Sequence, residues 1–354
     1  MSFNKLNSAF NNTQNSYKFY WWLSIIEICF KENKKQISYD EIVFKLISKL
    51  WYPVNYFKLS FGKIDQCSKL VKYIQKKYQL EDNIYEKELY HFLIKHKNSD
   101  TLAKITNELT RYVPYRFIRP WFSEETRGLK DSKVNSRIIE LQNESAPYII
   151  DYDSKKVIIN NDWLKWINTN YTLIKSYTLY ELIKYLEKEN PNVANLSRKL
   201  EKPTIRNLSS STKYWKKFIL TEPNQKDIFE NKPLIKLEKM SIDHFLPWSF
   251  MTHDLIWNLH PINKNVNSSK SNSIPKKSYF QNFYNLQYNF CYFLLNENSN
   301  KPLEDYYNLF NCSNEELKSL SKLQFALRMD NFYSPQFEIA QNMGFECNWK
   351  LNEL

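Results

Sequence analysis

Met240-Ser-Ile-Asp-His-Phe-Leu-Pro247 opens a stretch that Asn267-Ser-Ser-Lys-Ser-Asn-Ser-Ile-Pro275 closes. Three of the chain's five histidines, His244, His253 and His260, lie inside it; His91 and His96 are the others. Asp243, Asp254, Asn258, Asn263, Asn265 and Asn267 lie there too. No other segment gathers so many candidate metal ligands and proton acceptors. Two readings stand side by side. In one, the histidines are ordinary core or surface residues and Asp243-His244 is a chance pair. In the other, carboxylate and amide oxygens hold a hard divalent cation while a neutral imidazole takes a proton from water.

Local signals give the stretch a shape. Met240 to Phe245 reads as a short apolar strand, stopped by Pro247, which has no N–H to give to a ladder. A loop from Trp248 to Leu255 follows, then Trp257-Asn258-Leu259, and a polar segment around Asn263 to Lys270 suited to a helix. One difficulty is visible at once. Neighbours on a flat strand point to opposite faces, so Asp243 and His244 cannot both face one metal unless the strand ends there. Otherwise His244 approaches from beside the metal rather than as its ligand. Phe245, Leu246, Trp248, Phe250, Ile256, Trp257 and Leu259 are expected to form the small core beneath.

Asp243-His244, Pro247, Ser249-Phe250, Asn258, Asn267 and Lys270-Ser271 at these spacings resemble the HNH endonuclease motif of the ββα-metal fold, in its Asn-ending variant. The HNH domain of CRISPR effector nucleases, and standalone HNH nucleases of bacterial restriction and defence, are similar over this stretch, about a tenth of the chain. The resemblance implies a β-hairpin followed by a helix, with one metal in the crevice. It implies His244 as general base and Asp243 and Asn267 as metal ligands. Asn258 joins His244 at the catalytic positions, bracing the loop by hydrogen bonds rather than touching substrate. Mg²⁺ or Mn²⁺ is the implied cofactor. Lys270, Lys276 and Lys277 are candidate phosphate contacts, with a solvated surface as their plain alternative. His253, Asp254 and His260 fall off the motif positions and read as loop residues. Some relatives carry a zinc knuckle of two Cys-x-x-Cys pairs just before the strand. Here Cys29, Cys67, Cys291, Cys312 and Cys347 are widely separated, and the corresponding place reads Asp227-Ile-Phe-Glu-Asn-Lys-Pro233. Structural zinc is not expected, and packing must replace it.

Composition sets the bounds. The chain has 354 residues, 42% of them hydrophobic and 16% aromatic, enough for a substantial core. A net charge of +12 favours polyanionic partners, although the lysines come as scattered pairs without a basic tail. Gly62, Gly128 and Gly344 are the only glycines. They cannot build a P-loop or a dinucleotide-binding loop, and no Gly-x-Ser-x-Gly is present. Unclustered cysteines point to a reducing compartment, and the polar start has no signal-peptide core, so a cytoplasmic location is expected. The longest apolar run, Tyr20 to Phe30, contains Glu27 and is too short to cross a membrane.

Around the motif the chain reads as helices. Residues 1 to 15 are expected to be loose. Helices are expected over 16–31, after a Ser38-x-x-Glu41 capping box, and over 65–80, 84–96 and 99–112, the last capped by Ser99. Pro114-Tyr-Arg-Phe-Ile-Arg-Pro-Trp121 sets Arg116 and Arg119 among aromatics. These arginines are expected to pair with Glu124 or Glu125, a phosphate or base contact being the alternative. Residues 123–136 read as an exposed loop or helix start. Tyr148 to Ile159 reads as a β-hairpin, followed by helices through Trp166 and over 176–188, and a polar linker at 200–212. Beyond Pro275, helices are expected over 280–295, 314–328 and 334–342.

The fold expected is mainly α, with a small ββα-metal module and a β-hairpin in the N-terminal part. The division expected is 1–212 for recognition or partner binding, 213–280 for the nuclease and 281–354 packing on it. The function expected is metal-dependent hydrolysis of phosphodiester bonds in DNA, with RNA as the other substrate. A homodimer or a partner defence protein, and no membrane, complete the expectation. The alternative is a nucleic-acid-binding or partner-regulated module with an inactive site. A structural metal bound by His244, His253 and His260 is a third.

Overall fold

A computed structural model describes residues 3–11, 13–202, 207–237 and 239–351. Two compact units divide the chain, Met1–Lys202 and Pro203–Leu354. The middle of the expected linker, 203–206, lies outside the described residues. Its last residues, from Ser209, already belong to a helix. Helix makes up 63% of the structure and the strands are few and short, so the fold is mainly α.

The first unit runs α1 (Phe3–Phe10), α2 (Tyr17–Glu32), β1 (Gln36–Ser38), α3 (Tyr39–Trp51), α4 (Cys67–Tyr78), α5 (Glu86–Lys95), α6 (Asp100–Thr110), α7 (Val113–Ile118), α8 (Asp131–Leu141), β2 (Tyr148–Asp151), β3 (Lys156–Ile159) and α9 (Asn161–Glu189). Helix α2 is apolar nearly all round, and α3 and α9 pack on it. The capping box opens α3 as its sequence predicts: Ser38 Oγ accepts from Glu41 N, and the Glu41 carboxylate accepts from Ser38 N. Ser99 Oγ likewise accepts from Leu102 N at the head of α6. Glu27, buried within α2, is held by Lys31, Lys45 and Lys49. Burial opposes its ionisation, but these lysines hold its carboxyl well below the usual range.

Three expectations for this unit need correction. The start is not loose: Leu6 and Ala9 of α1 are fully buried, and Phe10 stacks on Phe19 at 5.0 Å. The β-hairpin has a third strand, because β1 pairs antiparallel with β3, Ile37 opposite Val157. Residues 161–189 form one helix with a kink at Asn170, whose Nδ2 donates back to Trp166 O.

The second unit runs α10 (Ser209–Thr221), β4 (Met240–His244), α11 (Trp248–Met251), β5 (Leu259–Asn263), α12 (Lys264–Lys270), α13 (Phe280–Asn296), α14 (Asn300–Phe310), α15 (Asn314–Ser319) and α16 (Lys322–Asn342). An aromatic core carries the hairpin. Phe245, just past β4, stacks on Phe283 of α13 at 4.0 Å, and Trp215 of α10 stacks on Phe290 at 3.6 Å. Gln287 Nε2 donates to Leu259 O at 2.7 Å, tying β5 to α13. The helix expected at 314–328 is broken at Leu320, where Ser321 and Gln324 cap a new one. That new helix then runs through Pro335 instead of starting at Ser334.

In place of a zinc knuckle stands a turn closed by its own side chain. Asp227 Oδ1 accepts from Phe229 N at 2.8 Å and from Glu230 N at 2.6 Å, and Asp227 N donates to Lys232 O. The turn pushes Phe229 against His260, Tyr279 and Trp349. Hydrophobic packing thus does the bracing that two cysteine pairs would do elsewhere.

Candidate active site

The hairpin is antiparallel, with Ser241 opposite Ile262, Asp243 opposite His260 and His244 opposite Leu259. Alternation puts Ser241, Asp243, His260 and Ile262 on one face. Helix α12 starts directly after β5, with Asn263 Oδ1 accepting from Asn265 N as its cap, and lies on both strands. Two contacts fix it over the face that carries Asp243. Asn267 Nδ2 donates to Ser241 Oγ at 3.1 Å. Lys270 Nζ donates to Asp243 Oδ2 at 2.9 Å and to His244 O at 2.8 Å.

His244 ends β4 and has a different partner. Its Nε2 lies 2.8 Å from Asp254 Oδ1. A carboxylate accepts only, so Nε2 carries the proton and, in the neutral ring, Nδ1 carries the lone pair. The two neighbours thus have different surroundings: Asp243 meets Lys270 of α12, and His244 reaches Asp254 in the following loop. His244 is buried, while the side chain of Asp254 is 33% exposed.

Asn258 closes that loop. Fully buried, it accepts from Leu246 N at 3.0 Å and donates to Leu246 O at 2.9 Å, and its backbone oxygen accepts from Phe245 N. Tyr333 of α16 donates to Trp257 O at 3.1 Å and reaches Asn258 Oδ1 at 3.3 Å. Asn258 is thus a brace. Asn258→Ala leaves an N–H and a C=O of Leu246 buried without partners. It should cost the unit about 3 kcal/mol in denaturant unfolding, and a loss under 1 kcal/mol would refute the bracing role.

Electrostatics of the crevice follow from these contacts. Burial works against ionisation of Asp243, but the Lys270 ammonium outweighs it, and the carboxyl lies below its ordinary value. Lys270 itself is fully buried and turned inward, not toward a surface phosphate as its motif position suggested. Lys276 and Lys277 are exposed, Lys277 pairing with Glu338 at 2.7 Å. His260 is fully buried among Phe229, Phe245 and Phe283. Its Nδ1 lies 3.1 Å from Pro261 O, and burial lowers its pKa to about 4. Folded His260 thus resists a proton that the unfolded chain takes near 6.5, so stability should fall as pH drops from about 6.5 to 4. His260→Leu should flatten that slope in thermal unfolding against pH; an unchanged slope would show that other groups cause it.

His253 sits against Trp257 at 5.0 Å. Among the described residues no three His, Cys, Asp or Glu side chains converge as a metal cluster, so His244, His253 and His260 do not assemble the trio considered above. Of the oxygen donors at the motif positions, the Asp243 carboxylate lies on β4 and the Asn267 amide on α12, which packs over that strand. One charged and one neutral oxygen donor fit a hard cation that keeps most of its other positions for water or phosphate. Asp254 was missed by sequence reasoning. It lies in a loop, and nothing in its spacing from His244 signals the contact.

A two-stranded antiparallel hairpin, a short helix across it, an Asp-His pair at the strand end and an amide on the helix define a ββα-metal module. Residues 226–276 match the family model of the HNH endonucleases, and this part of the chain is an HNH domain. No curated protein and no solved structure matches the chain. The family is one of nucleases, which act on nucleic acid and generally use divalent metal ions. Among the described residues no helix is long and apolar enough to cross a membrane.

Proposed function

We propose that the chain is a metal-dependent endonuclease that hydrolyses phosphodiester bonds in DNA. The observation that carries this is the imidazole of His244, anchored through Nε2 by Asp254, next in the chain to Asp243 on the strand over which the helix carrying Asn267 packs. Asp243 and Asn267 would hold Mg²⁺ or Mn²⁺, which when bound neutralises charge on the scissile phosphate and stabilises the leaving oxygen. His244 Nδ1 takes the proton of the attacking water. Asp254 keeps the ring in one tautomer and steadies the imidazolium that forms. Asn258 holds the loop that carries Asp254. Lys270 balances Asp243, while the exposed Lys276 and Lys277 would meet phosphate.

DNA as substrate, and a role in bacterial restriction or anti-phage defence, rest on the resemblance to nucleases of those systems and on the net charge of +12. The unit Met1–Lys202 would then serve recognition or partner binding. A single HNH site cuts one strand, so a double-strand cut calls for a homodimer or two successive nicks.

The test is cleavage of supercoiled plasmid with Mg²⁺, with Mn²⁺ and with EDTA, beside labelled single-stranded RNA. Nicked circles that need the metal support the proposal. Cleavage of RNA alone would overturn the choice of DNA. Cutting that persists in EDTA would overturn metal dependence.

A further inference from the structure

Within Met1–Lys202, a cleft of about 540 Å³ opens beside the segment that leads into α2, the start of α4 and the junction of α6 with α7. Among the described residues, three cationic side chains line it, Lys18, Arg116 and Arg119, against one carboxylate, Glu108. Each cation is held by a contact of its own. Lys18 Nζ donates to Ala9 O at 3.0 Å. The Arg116 guanidinium lies over the Tyr112 ring, 5.4 Å from its centre. Arg119 Nη2 donates to Thr126 O at 3.1 Å. The nearby Asp65 carboxylate is buried and engaged by Ser16 N, Ser16 Oγ and Cys67 N. Burial, with the two guanidinium groups beside it, lowers the Lys18 pKa to about 8.

Like charges gathered on one cavity repel, and an anion relieves that repulsion. Apolar Leu70, Leu109 and Val113, the rings of Tyr17 and Tyr112, and the polar side chains of Thr13, Gln14, Asn15 and Gln66 complete the lining. A bare phosphate would leave most of this volume unused, whereas small-molecule sites commonly span roughly 300–1,000 Å³.

We propose that this cleft is a nucleotide site. The phosphate rests against Lys18, Arg116 and Arg119, the base lies against the apolar residues, and the amides meet its polar edge. Two sources share that chemistry, a free nucleotide and the 5′-phosphorylated end of a DNA strand. Neither depends on the HNH domain, so the proposal and the nuclease assignment fail separately.

Isothermal titration of the full chain in EDTA, which withholds the metal the proposed nuclease needs, tests it. The probes are AMP, ATP, inorganic phosphate and a short single strand with and without its 5′-phosphate. A nucleotide probe should bind with unit stoichiometry. Lys18→Gln and Arg116→Gln should each weaken binding roughly tenfold or more, with circular dichroism and thermal unfolding unchanged. If Arg116→Gln does not fold, Arg116→Lys, which keeps the charge, should retain most of the binding while Lys18→Gln does not. AMP or ATP binding without the strand assigns a free nucleotide, and the phosphorylated strand alone assigns a strand end. No binding by any nucleotide probe, equal binding of inorganic phosphate, or full affinity in both variants overturns the proposal.

Discussion

His244→Ala is expected to lower plasmid cleavage by roughly 10²- to 10⁴-fold, the range for losing a positioned general base. The reason is local. Nε2 is held by Asp254 at 2.8 Å, which leaves Nδ1 to act. Under the proposed mechanism alanine removes the base and leaves Asp243 and Asn267 in place. Mn²⁺ affinity, read by titration calorimetry, should therefore stay within about twofold of wild type while cleavage disappears, a separation that a general loss of fold would not give. Cleavage at the wild-type rate would sink the assignment of His244. Asp254→Asn should share the defect, because an amide N–H donated to Nε2 favours the tautomer with the proton on Nδ1.

The second large effect is in stability. Lys270 is fully buried, and its ammonium relies on Asp243 and the His244 carbonyl. Asp243→Ala removes the carboxylate and strands a positive charge in the interior, which should cost about 3–5 kcal/mol. The loss should be visible as a lower midpoint in urea. Lys270→Met should destabilise the HNH domain for the mirror reason, leaving Asp243 mostly buried without its counter-charge. The double variant Asp243→Ala with Lys270→Met should recover most of the stability, since no unpaired charge remains, and should still not cut. A double variant as unstable as the sum of the singles would show that the pair is not coupled.

Asp243, His244, Asn258 and Asn267 could be picked out in the sequence as candidates through their resemblance to the HNH motif, whose positions they match. Their partners could not. Asp254 meets His244 only because a loop closed by Asn258 folds back, and loop closure leaves no periodic trace. Lys270 was visible as a residue, but its direction was not. On a seven-residue helix, half a turn's rotation separates a surface phosphate contact from a buried ion pair. The long helices were legible for the opposite reason, since their apolar period and capping boxes are local. The strand β1 escaped because three residues carry too little alternation to read, and α1 because its burial depends on Phe19 and other distant residues.

The ion pair between Lys270 and Asp243 has one more consequence. Small metal-bound modules often collapse when chelated, because nothing but the ion offsets their clustered ligand charge. Here a lysine already neutralises the carboxylate, and an aromatic core carries the hairpin. On the proposed function, assembly of the domain and arming of the domain are separate events: metal scarcity would leave a finished but silent protein in store, and a rise in available Mg²⁺ or Mn²⁺ would switch on cutting without any refolding.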